Sequence, residues 1–170
     1  MIPGPESANV RDMLAWGEFR ATRPDLADAG RALLYQFGVG LAFLATVRRD
    51  GGPRVHPMCP VITDDGLFAF IVVSPKLSDL IRDGRYAMHA FPSPQNEDAF
   101  YLTGRAEARP DQSLRHSLAT MFFQERGLDS PPSGWDEQGL FEFLVDTCLL
   151  TETTGHGDTD PKHTVWKTTG

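Results

Sequence analysis

A small antiparallel β-barrel, closed or partly open and carrying helical additions, is the fold class this sequence predicts, and three observations lead there. Six or seven runs have strand composition, and two of the breaks between them carry Asp-Gly, at Asp50-Gly51 and Asp65-Gly66, the strongest short-range hairpin signal. Helical patterns stand at the start of the chain and between only a few of the runs, so most strands must pair with a neighbour directly. A parallel doubly wound sheet would instead need a crossover helix after nearly every strand. At 170 residues the chain fits one domain with a sizeable core. Its expected division is an N-terminal helical segment over residues 1–38 and the barrel over 39–170.

Each element has its own reason. Residues 1–9 are rich in Pro and Gly and read as loosely held; residues 10–19 read as a helix capped by Asn9. Residues 26–37 form a second helix, with Leu26, Ala29, Leu33 and Phe37 at burial spacing. Strand-like runs follow at 41–48, 54–62 and 67–73, a three-stranded meander in expectation. Pro57 and Pro60 cannot donate to a ladder, which makes the second run an edge or a bulged strand. Residues 77–83 form a short helix entered through Ser74, Pro75 and Lys76, with Leu77, Leu80 and Ile81 on one face. Strands are expected at 85–91 and 99–109, the latter with Gly104 as a bulge or close approach. A helix at 112–126 ends at Gly127, a loop holding Trp135 covers 128–139, and strands close the chain at 140–151 and 164–168.

Composition narrows the function. The net charge is −7 and Lys and Arg form no run, which argues against general nucleic-acid binding through phosphate neutralisation. No apolar stretch is long enough to span a bilayer. Residues 1–5 lack a basic region followed by an apolar one, so a cytoplasmic location is the expectation. Cys59 and Cys148 have no zinc-type or redox-motif spacing, lie in strand-like runs, and read as buried thiols rather than a disulfide. The five histidines show no HxH, HxxxH or HExxH pattern, and no metal is expected. GxSxG, P-loop and GxGxxG motifs are all missing.

What remains is the entrance to the short central helix. Ser74 suits the N-cap and Pro75 the first helical position. The unpaired N–H groups and the dipole there favour an anion. Lys76 places a cation where the dipole alone disfavours one, a conflict that an anionic ligand would relieve. Alternation in the second run puts Arg54, His56 and Met58 on one face and Val55, Pro57 and Cys59 on the other. A phosphate at Ser74 and Lys76, with a flat polar ring along the proline-broken strand, fits that layout.

The ordered set of segments Thr46–Pro57, Asp65–Phe70, Ser74-Pro75-Lys76, Leu80–Asp83 and Tyr101–Ala106 resembles the pyridoxamine 5′-phosphate oxidase-like, FMN-binding split barrel family. The likeness runs over about residues 39–110. It implies a six-stranded antiparallel split barrel, a homodimer, and FMN bound at the subunit interface. It further implies that Arg54, Val55, His56, Pro57 and Met58 line the isoalloxazine and that Ile71 and Val72 flank the cofactor. Ser74 and Lys76 would then hold the phosphate, and Trp166 and Lys167 would approach the flavin from the partner subunit. Three departures stand out: Pro75 replaces an arginine common in the family, Ala99 stands about where the oxidase has a flavin-contacting glutamine, and the oxidase's C-terminal arginine motif is missing. The expectation is therefore an FMN-dependent oxidoreductase acting on a small molecule, other than the vitamin B6 enzyme, with no acid or base residue identified. A deazaflavin (F420)-dependent reductase and a non-catalytic flavin-binding or sensing protein are the alternatives.

Overall fold

The computed structural model describes residues 12–169. Its elements in chain order are α1 (Trp16–Thr22), α2 (Pro24–Leu34), β1 (Ala42–Val47), β2 (Pro53–Met58), β3 (Pro60–Ile62), β4 (Leu67–Ile71), α3 (Pro75–Arg82), β5 (Arg85–Ala90), β6 (Ala99–Ala108), α4 (Gln112–Gln124), a 3₁₀ turn (Trp135–Glu137), β7 (Gly139–Glu152) and β8 (Lys162–Lys167). The sheet order is β2-β1-β5-β6-β7-β4-β3, with β8 paired to β7 beyond that path, and every pairing is antiparallel. This is a mainly β split barrel. β2 and β3 are one interrupted run, so with β8 set aside the barrel has six strands.

The expected meander of the first three runs does not form as such. The front half of the second run, β2, pairs with β1, and its back half, β3, pairs with β4. These partners lie toward opposite ends of the sheet. Pro57 and Pro60 are the reason: neither can donate to a ladder, so the chain leaves one partner at Cys59 and joins another. The barrel is thus closed here through the covalent chain at Cys59, with no ladder between β2 and β3.

One core fills the barrel. Leu44, Met88, Leu102, Phe143 and Val145 point inward, and α1 and α2 add Trp16, Phe19, Leu26, Ala27 and Leu34 to the same cluster. The second helix stops at Leu34 rather than continuing to Phe37, whose side chain is exposed. The first begins only at Trp16 and runs to Thr22, not over 10–19: Leu14 is extended and bridges Val145, and Ala15 takes the cap position with its N–H donating to Glu18, while the expected cap Asn9 lies outside the described residues. All five residues of β4 are buried because both its faces are covered. Leu67, Ala69 and Ile71 face the main core, while Phe68 and Phe70 face a satellite cluster built on Leu118 and Phe123 of α4 and on Trp135. At Gly104 the register of β6 on β7 shifts, so Asp146 is passed over between Val145 and Thr147.

Candidate functional site

The start of α3 is built as its sequence suggests. Ser74 is extended, its Oγ accepts from the Leu77 N–H at 3.4 Å and donates to the Val72 carbonyl at 2.8 Å. Pro75 takes the first helical position, and no acidic residue occupies the first turn. Lys76 is half-buried; burial lowers its pKa and the proximity of Cys59 acts the other way. Among the described residues the Lys76 ammonium makes no hydrogen bond or ion pair.

One turn further on, the helix carries a residue that periodicity gave no reason to notice. Asp79 is 4% exposed. Its Oδ2 accepts from Thr46 Oγ1 at 2.9 Å and from Arg54 Nε at 2.8 Å, and its Oδ1 accepts from Arg82 Nη1 at 3.2 Å. Burial pushes this carboxyl upward, but the hydrogen bonds from Arg54, Thr46 and Arg82 outweigh it and hold the pKa below the ordinary value. The register explains the meeting, since Thr46 of β1 and Arg54 of β2 are directly opposite and so share a face. Arg82 also donates to the Val47 carbonyl. The carboxylate therefore ties α3 to β1 and β2 at a single point. Arg54 spends only Nε on it; among the described residues Nη1 and Nη2 donate to nothing.

The remaining candidates divide between three environments. β2 is an edge strand bonded on one side only, to β1. Arg54, His56 and Met58 occupy its face toward α3 and the core; Met58 is buried in that core and His56 is exposed. Ile71 is fully buried in the core and pairs with Gly139, so it is closed to a ligand, whereas Val72 and the adjoining Val73 are exposed beside the helix start. Val55 and Pro57 face outward.

Cross-strand pairing continues that outer face over six strands in two rows. One runs Pro57, Phe43, His89, Tyr101, Leu149, Val165; the other runs Val55, Ala45, Ala87, Thr103, Thr147, Lys167. None of these residues is buried. Lys167 thus stands at the far end of the sheet from β2, with four strands between them. Trp166 alternates inward, opposite Cys148, and packs at a tilt against Phe19 with ring centroids 4.9 Å apart. Val72, Ser74 and Lys76 adjoin at the start of α3, Arg54 meets that helix one turn later through Asp79, and Trp166 and Lys167 belong to β8, separated from β2 by four strands.

Among the described residues, no three His, Cys, Asp or Glu side chains converge as a metal site would need, and no helix is long and apolar enough to cross a membrane.

No family model matches the chain, and neither does any curated protein. Solved structures do. A heme binding protein from Mycobacterium smegmatis superposes with a TM-score of 0.59 at 14% identity over 82% of this chain; the chain spans only 57% of that protein's length. A protein of the pyridoxinephosphate oxidase family from Clostridium acetobutylicum, related to general stress protein 26, gives 0.56 at 13% identity over 89% of this chain and 95% of the other. An F420 reductase gives 0.54 at 21% identity over 64% of this chain and 87% of the other. NimC/NimA-family and FAD-binding proteins are also among the matches. At these identities the likeness is one of fold, the split barrel.

Proposed function

We propose that this chain is an FMN-binding oxidoreductase of the pyridoxamine 5′-phosphate oxidase-like type, working as a homodimer with one cofactor site at each end of the interface. The observation that carries the reading is the uncommitted Lys76 ammonium in the first turn of a helix with no acid there, with the uncommitted Nη atoms of Arg54 meeting the same helix one turn later at Asp79. A phosphate monoester meets those donors and the dipole together. The flat apolar edge made by Val72 and Val73, with the unpaired edge of β2 alongside, suits a ring that needs hydrogen bonds on its rim and apolar contact on its faces. Bound there, FMN would supply hydride transfer at N5 to or from a small substrate, while the chain supplies binding, orientation and exclusion of water.

The dimer reading rests on the outer face of the sheet. Val55, Phe43 and Val165 are exposed on it, and its two six-strand rows hold one ammonium and no carboxylate, a composition that favours burial against a second copy. Docking two such faces antiparallel would carry Lys167 of β8 toward β2 of the other subunit.

Purification followed by titration with FMN and with riboflavin tests the reading. FMN binding at least about a hundredfold tighter than riboflavin is expected, from two charge-assisted contacts to phosphate at about tenfold or more each, with Lys76→Ala removing its own share of about tenfold. A colourless protein that takes up F420 and refuses FMN would overturn the cofactor assignment in favour of the F420 reductase fold neighbours. Reduction by NAD(P)H followed by rapid reoxidation separates an enzyme from a flavin-binding or sensing protein.

A further inference from the structure

Resting on that reading of the site, we infer that Asp79 is a positioning residue that acts through Arg54: by taking Nε it holds the guanidinium with Nη1 and Nη2 turned to the anionic tail of the ligand rather than to its ring. A guanidinium has five N–H donors in a fixed plane. When Nε is anchored, the directions of the four Nη donors are set within narrow limits, because the fork is rigid. The anchor itself is rigid too. Asp79 is buried, lies on the same helix as Lys76 and three residues later, and is held by Thr46 and Arg82 as well as by Arg54. Residues three apart on a helix share a face, so Lys76 on one side and Arg82 on the other flank Asp79 on the face that Arg54 meets.

Charge supports the same division. Among the described residues Asp79 is the one carboxylate in contact with Arg54 and Arg82, so the two guanidiniums and Lys76 leave a net excess of two positive charges. A phosphate monoester near neutral pH carries between one and two negative charges. The neutral isoalloxazine offers nothing that would balance them. Asp79 thereby makes Arg54 selective for the phosphorylated form of a flavin without touching the ligand.

The test is the ratio of FMN to riboflavin affinity in the full-length protein, measured by quenching of flavin fluorescence. Asp79→Asn keeps the shape and removes the charge that orients Arg54. It is expected to weaken FMN by about tenfold or more while leaving riboflavin within about twofold, and the same substitution in an Arg54→Met background is expected to have no further effect. A purely structural role would weaken both ligands alike, and that result overturns the inference. Should Asp79→Asn fail to fold, Arg54→Lys answers the same question: its ammonium can pair with Asp79 but cannot also reach the phosphate, so FMN and only FMN weakens. An unchanged ratio in Arg54→Lys overturns the inference while the FMN reading stands. Failure of the unsubstituted protein to bind FMN overturns both, which keeps the two outcomes distinct.

Discussion

The two thiols offer a direct probe of where the cofactor sits. Cys148 is fully buried, and burial pushes its pKa up to about 12. At pH 7.5 a thiol of that pKa is ionised in about three parts per hundred thousand, against about one in ten for an ordinary thiol, a deficit of about three thousandfold before any steric block is added. Cys59 is half-exposed at the junction of β2 and β3, close enough to Lys76 to influence its ionisation. In the folded protein, a disulfide reagent such as DTNB should therefore titrate one thiol, Cys59, with Cys148 reacting only after unfolding. Saturating FMN should then slow Cys59 by about tenfold, since the ligand's phosphate and Lys76 share the entrance to that residue, whereas riboflavin at equal occupancy should protect less. Mass spectrometry of the labelled peptide identifies the site. Equal labelling of both cysteines in the native state would refute the burial of Cys148. A Cys59 rate untouched by bound FMN would refute the placement of the cofactor beside Lys76.

Three further outcomes follow from other parts of the molecule. A Cβ added at Gly104 would collide with the backbone carbonyl of Leu144 at the β6–β7 bulge, where neither partner can rotate away; Gly104→Ala should cost about 3 kcal/mol, or about 6–12 °C in Tm for a chain of this size, and a change under about 2 °C would show that the bulge yields. Asp83, bonded to Arg85, has its pKa lowered to about 2. Its contribution is complete above the unfolded-state value near 4 and lost as pH falls from about 4 to 2; at 65% exposure of Arg85 solvent screening leaves on the order of 1 kcal/mol. Asp83→Asn should accordingly lower Tm at pH 7, lower it less at pH 2, where about half of the folded-state carboxyls remain ionised, and have no effect at about pH 1. Val55→Glu and Val165→Glu, at opposite ends of the outer face, should each convert a dimer to a monomer in analytical ultracentrifugation and weaken FMN binding with it; a dimer that survives both would rule out this face as the interface.

How legible the chain was varies from element to element for physical reasons. α3 could be read to within two residues at its start and one at its end, because Ser74, Pro75 and the apolar stripe are local signals that act whatever lies nearby. The bulge at Gly104 and the alternating run of β7 were also local. Strand pairing was not. Pro57 and Pro60 announced that the second run was interrupted, yet which strands its halves would join depends on β7, more than seventy residues later. Of the site, the helix entrance was visible and its support was not. Asp79 looks like a solvated residue on a short helix until Thr46, Arg54 and Arg82 are seen to converge on it. Nor can alternation alone say which of Trp166 and Lys167 faces the core; that is fixed by the pairing of Trp166 with Cys148.

The closure at Cys59 has a temporal side. The hairpin of β3 and β4 has only β7 as an outside sheet partner, while β2, β1, β5 and β6 form a consecutive patch that can assemble without it. A chain emerging from the ribosome up to residue 108 thus holds two fragments of sheet joined by a single residue and a short helix. Contacts separated by that much chain form late. The two fragments are fixed relative to one another only after β7 has paired with both β6 and β4, so any surface that spans them is completed last.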